Sequence, residues 1–129
     1  MQNNVALIAE QLDRHAIAII DDFLPAEVLD KLLSESKQLF KEGELEPALI
    51  GRGITEQRIS EVRGDKIKWL EKDELTPSQE QYIELLEQLR EHLSNYFRIA
   101  LPWFECHLAT YPIGSFYTKH LDQFRETNN

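Results

Sequence analysis

Tyr111-Pro-Ile-Gly-Ser-Phe-Tyr-Thr-Lys-His-Leu-Asp122 is the stretch on which the fold turns. Pro112-Ile-Gly114 reads as a turn, and Phe116 to Asp122 as a strand. Residues two apart on a strand share a face, so Phe116, Thr118, His120 and Asp122 are expected to look the same way. His120 and Asp122 then converge as two of the three ligands of a 2-His-1-carboxylate site for non-haem Fe(II). The third ligand is expected from a later histidine, and none follows Asp122 in this sequence. A lone His-x-Asp pair is weakly specific. It describes a surface histidine beside a carboxylate equally well.

Working back from that stretch, Trp103 to Tyr111 reads as a neighbouring strand and Lys66-Ile-Lys-Trp-Leu70 as an earlier one. Residues 49–63 mix Gly51, Gly53 and charges and read as irregular or hairpin-like, and exposed. The clearest element is a helix from Thr76 to about Ile99. Thr76-Pro-Ser-Gln79 is a capping-box pattern with proline at the first helical position, and Ile83, Leu86, Leu89, Leu93 and Phe97 supply its apolar stripe. A second helix follows Asp21-Asp-Phe-Leu-Pro25. Val28, Leu29, Leu32, Leu33, Leu39 and Phe40 line one face of it, and Gly43 marks its end. Val5, Ile8, Ala9 and Leu12 predict a short first helix over residues 3–14. Ala16-Ile-Ala-Ile-Ile20 reads as a short buried strand.

Helices come first and strands last, which predicts an α+β domain with helices packed on one side of an antiparallel sheet. Two late strands cannot close a barrel, and a sheet so small leaves open edges. The expectation is therefore a single domain over residues 1–129, incomplete at its C-terminus.

The chain has 129 residues and 42% apolar content, enough for a globular core. Cys106 is the single cysteine, so no internal disulfide can form. No apolar run approaches the ~20 residues that span a bilayer, and the first residues lack the pattern of a signal peptide. Together these predict a cytoplasmic protein. The formal charge is −9, from 14 basic and 23 acidic side chains. Such a chain repels phosphate backbones and anionic lipid, so neither nucleic acid nor membrane is expected as a partner. The stretch from Arg52 to Lys68 carries a small basic excess. It reads as solvated charge or as a surface for an acidic or backbone-rich partner.

A resemblance then joins three blocks. Ala109-Thr-Tyr111-Pro, Gly114 and Tyr117-Thr-Lys-His120-Leu-Asp122 resemble the metal-binding strands of the Egl-nine-type prolyl hydroxylases. Arg63-Gly-Asp65-Lys-Ile-Lys-Trp69 is similar to that family's Arg-Gly-Asp-Lys-Ile-x-Trp segment. Ile19 to Leu33, with Phe23-Leu24-Pro25, resembles its N-terminal part. Order and spacing agree across most of the chain. The resemblance implies a double-stranded β-helix (jelly-roll) core that binds Fe(II) and uses 2-oxoglutarate and O2 as cosubstrates, with ascorbate as an accessory reductant.

Carried over residue by residue, the resemblance implies His120 and Asp122 as metal ligands and Tyr111 in the 2-oxoglutarate pocket. It also implies Asp65, Trp69, Tyr117 and Arg63 on the substrate side. Strict alternation puts Tyr117 opposite His120, so that placement needs a bulge or twist. The family's distal histidine and its 2-oxoglutarate-binding arginine have no counterpart here. His107 lies on the neighbouring strand and reads as a solvent-facing position. Cys106 reads as buried and inert. An aspartate at 122 favours hydroxylation, because related halogenases have a small residue there. The implied substrate is a prolyl residue in a protein. In bacteria the family includes hydroxylases of elongation factor Tu, so a translation factor is the expected target. Two other readings stay open: a catalytically incomplete remnant that binds protein, and a jelly-roll metalloprotein with different chemistry.

Overall fold

The computed structural model describes residues 2–48 and 64–121. The expected irregular stretch over residues 49–63 lies outside them, as do Arg52, Arg58, Arg63 and Asp122. Three helices and a three-stranded antiparallel sheet make up the described part, so the α+β class holds. The described strands number three, and a jelly-roll enclosure is not among the described elements. No helix among the described residues is long and apolar enough to cross a membrane.

The chain divides into two compact units: residues 1–35 with 70–106, and residues 36–69 with 107–129. The first unit is helical. Helix α1 runs Gln2–His15 and places Arg14 and His15 in its last turn, where cations complement the negative end of the helix dipole. Its Val5 and Ala9 are buried, and it packs against α3. The Tyr96 hydroxyl of α3 donates a 3.0 Å hydrogen bond to Asp13 of α1.

Helix α2 runs Ala26–Lys41. Its first hydrogen bond comes from Leu29 N–H to the Pro25 carbonyl, so the proline's missing N–H costs nothing there. Val28 and Leu32 are its buried residues, each contributing roughly 1.5–3 kcal/mol of apolar burial. The wider predicted stripe is not buried throughout, since Leu29, Leu33 and Phe40 are all exposed. The helix ends in a Schellman motif. Gly43 takes φ +74°, its N–H bonds to the Phe40 carbonyl, and Glu44 N–H bonds to the Leu39 carbonyl.

Helix α3 runs Pro77–Phe97 and begins with the predicted capping box. Gln79 N–H donates to Thr76 Oγ1 at 3.3 Å, and Thr76 N–H donates to Gln79 Oε1 at 3.1 Å. A one-turn 3-10 helix, Lys72–Glu74, precedes it. Its deepest apolar residue is Leu85, which falls outside the predicted stripe.

Ala16 to Ile20 is not the buried strand that the sequence predicts. Ala16 takes φ 60° at the end of α1, Ile19 N–H bonds to the Gln11 side chain, and Ile17 and Ile19 are exposed. Ending the helix in a left-handed residue turns the backbone away from an extended path.

The second unit contains the sheet, in the order β1-β2-β3. Strand β2 (Lys66–Trp69) is the predicted one, trimmed by a residue. It pairs with β3 (His107–Thr110) through Lys66↔Thr110, Ile67↔Ala109, Lys68↔Leu108 and Trp69↔His107. On its other side lies β1 (Glu46–Pro47), which the sequence reading lacks. Two residues are too few for a period to register, and among the described strands β1 is the outer one, where Pro47 is tolerated. The Lys66 ammonium sits 5.5 Å from the Phe40 ring, a cation–π contact between β2 and the C-terminal half of α2. Among the described residues, Leu45 and Ala48 are the buried apolar ones of this unit.

Candidate active site

The chain approaches the His120 segment through a tight turn. Ser115 N–H bonds to the Pro112 carbonyl at 2.9 Å, and Gly114 carries φ +87°. A positive φ at the third residue is the demand of a type II turn, which glycine meets without strain. The fully exposed Ile113 occupies its corner.

From the turn the chain returns to the start of β2. Gly64 N–H donates a 2.9 Å hydrogen bond to the Phe116 carbonyl. A Cβ at Gly64 would lie 3.0 Å from Ser115 Cβ. That approach is the physical reason for glycine in the Arg63-Gly-Asp65 block. Next to it Asp65 is fully buried, and its carbonyl accepts from Ala48 N–H at 3.0 Å.

Beyond Phe116 the predicted strand does not form among the described residues. Tyr117 makes a single bridge and Lys119 lies at a bend. The bend has a consequence that strict alternation forbids: the Tyr117 and His120 rings stack, with centroids 3.5 Å apart and planes 9° from parallel. The same fold of the backbone brings His120 Nδ1 to 2.7 Å from the Thr118 carbonyl. A carbonyl only accepts, so Nδ1 carries the hydrogen in this contact, and in the neutral ring the lone pair is then on Nε2. Metal-binding histidines are commonly oriented by such a bond from their second nitrogen. With Nδ1–H on the Thr118 carbonyl, the neutral His120 ring has the tautomer that an Nε2 ligand uses. Its partner in the proposed pair, Asp122, lies outside the described residues. Among the described residues no three His, Cys, Asp or Glu side chains gather as a metal site.

The remaining candidates sit on or beside the sheet. Trp69 and His107 are directly opposite on β2 and β3, and their rings meet edge to face at 4.7 Å and 85°. His107 is thus half-buried against an aromatic ring rather than the simple solvent-facing position expected. Trp69 stays 44% exposed, enough surface to meet another molecule. Tyr111 follows β3 directly and is also partly exposed. Cys106 is half-buried, and burial pushes its thiol pKa up. The structure thus joins Tyr117 to His120 and Trp69 to His107, and buries Asp65. Sequence reasoning missed the Thr118 carbonyl, the Gly64–Ser115 approach and the Trp69–His107 contact. Only the approach had a visible signal, the glycine itself.

No protein-family model matches the chain. Among solved structures, a prolyl-4-hydroxylase from Pseudomonas putida matches with a TM-score of 0.82 and 34% sequence identity, over 92% of this chain and 61% of that one. The fold is prolyl-4-hydroxylase-like. The match takes in both the helical unit and the sheet, since it leaves out less than a tenth of the residues. This chain spans about three fifths of the length of that prolyl-4-hydroxylase.

Proposed function

We propose that this chain carries part of an Fe(II)- and 2-oxoglutarate-dependent dioxygenase of the Egl-nine type, with a double-stranded β-helix core, that hydroxylates a prolyl residue of a protein. The observation that carries the reading is His120, whose Nδ1 lies 2.7 Å from the Thr118 carbonyl, the contact that in the neutral ring puts the lone pair on Nε2. The similarity to a prolyl-4-hydroxylase supports it. His120 and Asp122 would hold the metal, whose chemistry with 2-oxoglutarate and O2 is insertion of oxygen into an unactivated C–H bond. An imidazole and a carboxylate fit that donor set.

The chain's own residues supply position and shelter. The Thr118 carbonyl fixes the imidazole, and the Tyr117 ring covers one of its faces, excluding water from that side. Tyr111 would offer its hydroxyl to the 2-oxoglutarate carboxylate. Trp69, braced by His107, would present an aromatic surface to a prolyl ring. Asp65 is fully buried, so its part would be structural, beside the Gly64–Ser115 approach, rather than to touch peptide. Arg63 would lie on the substrate side. The protein substrate would be a translation elongation factor.

Two measurements test this. Mn(II), a redox-silent stand-in, should broaden the His120 ring resonances of the wild-type chain, and His120→Ala should weaken Mn(II) binding about tenfold or more. Succinate formation from 2-oxoglutarate with Fe(II) and a prolyl peptide should be lost in Asp122→Ala. Turnover that survives this substitution overturns the site. Peptide binding with neither metal binding nor turnover points instead to a protein-binding module.

A further inference from the structure

The acidity of this chain is not spread evenly. Fifteen of its 23 acidic side chains, but only five of its 14 basic ones, fall in the helical unit, while the sheet unit is close to neutral. Within the helical unit a groove of about 220 Å³ opens between the start of α2 and the middle of α3. Leu24, Pro25, Val28 and Leu85 provide its apolar part, and Gln81, Glu84 and Gln88 its polar part. None of these belongs to the site proposed above.

We propose that this groove docks a cationic amphipathic segment of a partner protein. Three features favour that occupant. The apolar part accommodates a branched aliphatic side chain, the kind of anchor an amphipathic helix lays into a groove. The two exposed glutamines offer amide donors and acceptors to a polar backbone or side chain. Glu80 and Glu84 lie one turn apart on α3, both exposed, and Glu27 is exposed on the first turn of α2. Of the unit's basic groups, Arg90 is turned to Glu87 and the Leu101 carbonyl. Lys31 lies three residues beyond Val28 and leaves the acidic excess standing. A second copy of the chain would bring like charge against like charge, and nucleic acid or anionic lipid would be repelled. Lysine or arginine flanking an aliphatic anchor complements both parts of the groove.

The test uses the intact chain, isotope-labelled, and a synthetic twelve-residue helical peptide with four lysines and two leucines on one face. Binding is expected to shift the Gln81 and Gln88 side-chain amides and the Val28 and Leu85 methyls. Affinity should fall steeply between low and high salt. A peptide with glutamate for lysine, and one with alanine for leucine, should bind weakly or not at all. Glu80→Gln with Glu84→Gln should raise Kd about fivefold while leaving the circular dichroism unchanged and lowering the thermal midpoint only slightly, as Glu80 leaves the first turn of α3. The proposal is overturned by shifts that map elsewhere, by equal binding of the acidic peptide, or by a Kd that ignores the double substitution. It is also overturned if the lysine peptide does not bind at all, or if sedimentation shows self-association through these residues.

Discussion

The Glu35 carboxylate of α2 accepts a 2.9 Å hydrogen bond from the Thr76 hydroxyl at the start of α3. The same oxygen, Oε2, accepts from the Gln79 side-chain amide at 3.3 Å. Thr76 and Gln79 already cap one another, so Glu35 turns a local capping box into a three-residue network between two helices. A carboxylate there also meets the positive end of the α3 dipole. Thr76→Ala removes the cap and the bond to Glu35 together and is expected to cost about 1–2 kcal/mol. Glu35→Ala should cost about 1 kcal/mol. Urea denaturation of the two single variants and the double should show a coupling of roughly 0.5 kcal/mol or more.

Gly64→Ala tests the close approach behind the His120 segment. The new methyl would stand 3.0 Å from Ser115 Cβ, which has no flexible reach with which to give way. The expected cost is about 1–3 kcal/mol of stability. Ser115→Gly in the same chain should recover much of it, measured as the urea midpoint. Full stability in Gly64→Ala alone would mean that the two segments do not approach so closely.

Ala16→Gly should stabilise the protein. Ala16 sits at φ 60° where α1 ends, a conformation costing an L-residue about 1–2 kcal/mol. Glycine removes that strain but gives the unfolded chain more freedom, worth about 0.5–1 kcal/mol. A net gain of about 0.5–1 kcal/mol is expected, read as a higher thermal midpoint.

Alkaline pH should weaken the fold through two tyrosines. The hydrogen bond to Asp13 is the main cause raising the Tyr96 pKa above 10.0, with burial and nearby carboxylates adding to it. Burial first, and Cys106 second, raise Tyr82. A group whose pKa is raised by folding keeps its proton longer in the folded state. Its stabilisation is therefore complete below pH 10 and is lost as pH rises through the folded value. Urea midpoints should fall above pH 10. Asp13→Asn should bring the ultraviolet ionisation of one tyrosine back toward 10.0. Unchanged spectra would remove the Asp13–Tyr96 bond as the cause.

Cys106 should be slow toward thiol reagents, since burial raises its pKa and the thiolate is the reactive form. At pH 8 its reaction with a disulfide reagent should lag behind that of a free cysteine and accelerate in denaturant. Equal rates before and after denaturation would argue that the thiol is open.

Some of this protein was written in short-range sequence. The α3 start needed only Thr76, Pro77 and Gln79, because a capping box satisfies its donors within four residues. The end of α2 needed only Gly43, because a left-handed residue excludes most side chains. The Lys66–Trp69 strand and the α+β order followed from period and sequence of elements. The rest depended on backbone turns and contacts that composition and alternation do not encode. Ala16 to Ile20 has strand composition, but a left-handed Ala16 and the Gln11 side chain decide its path. The side on which Tyr117 lies could not be read from alternation, because the bend at Lys119 brings it onto the His120 ring. Local rules fix how a segment starts and stops. Which ring meets which across the sheet, as Trp69 meets His107, and where glycine alone fits, as Gly64 beside Ser115, are set by contacts that form only once the chain has closed on itself.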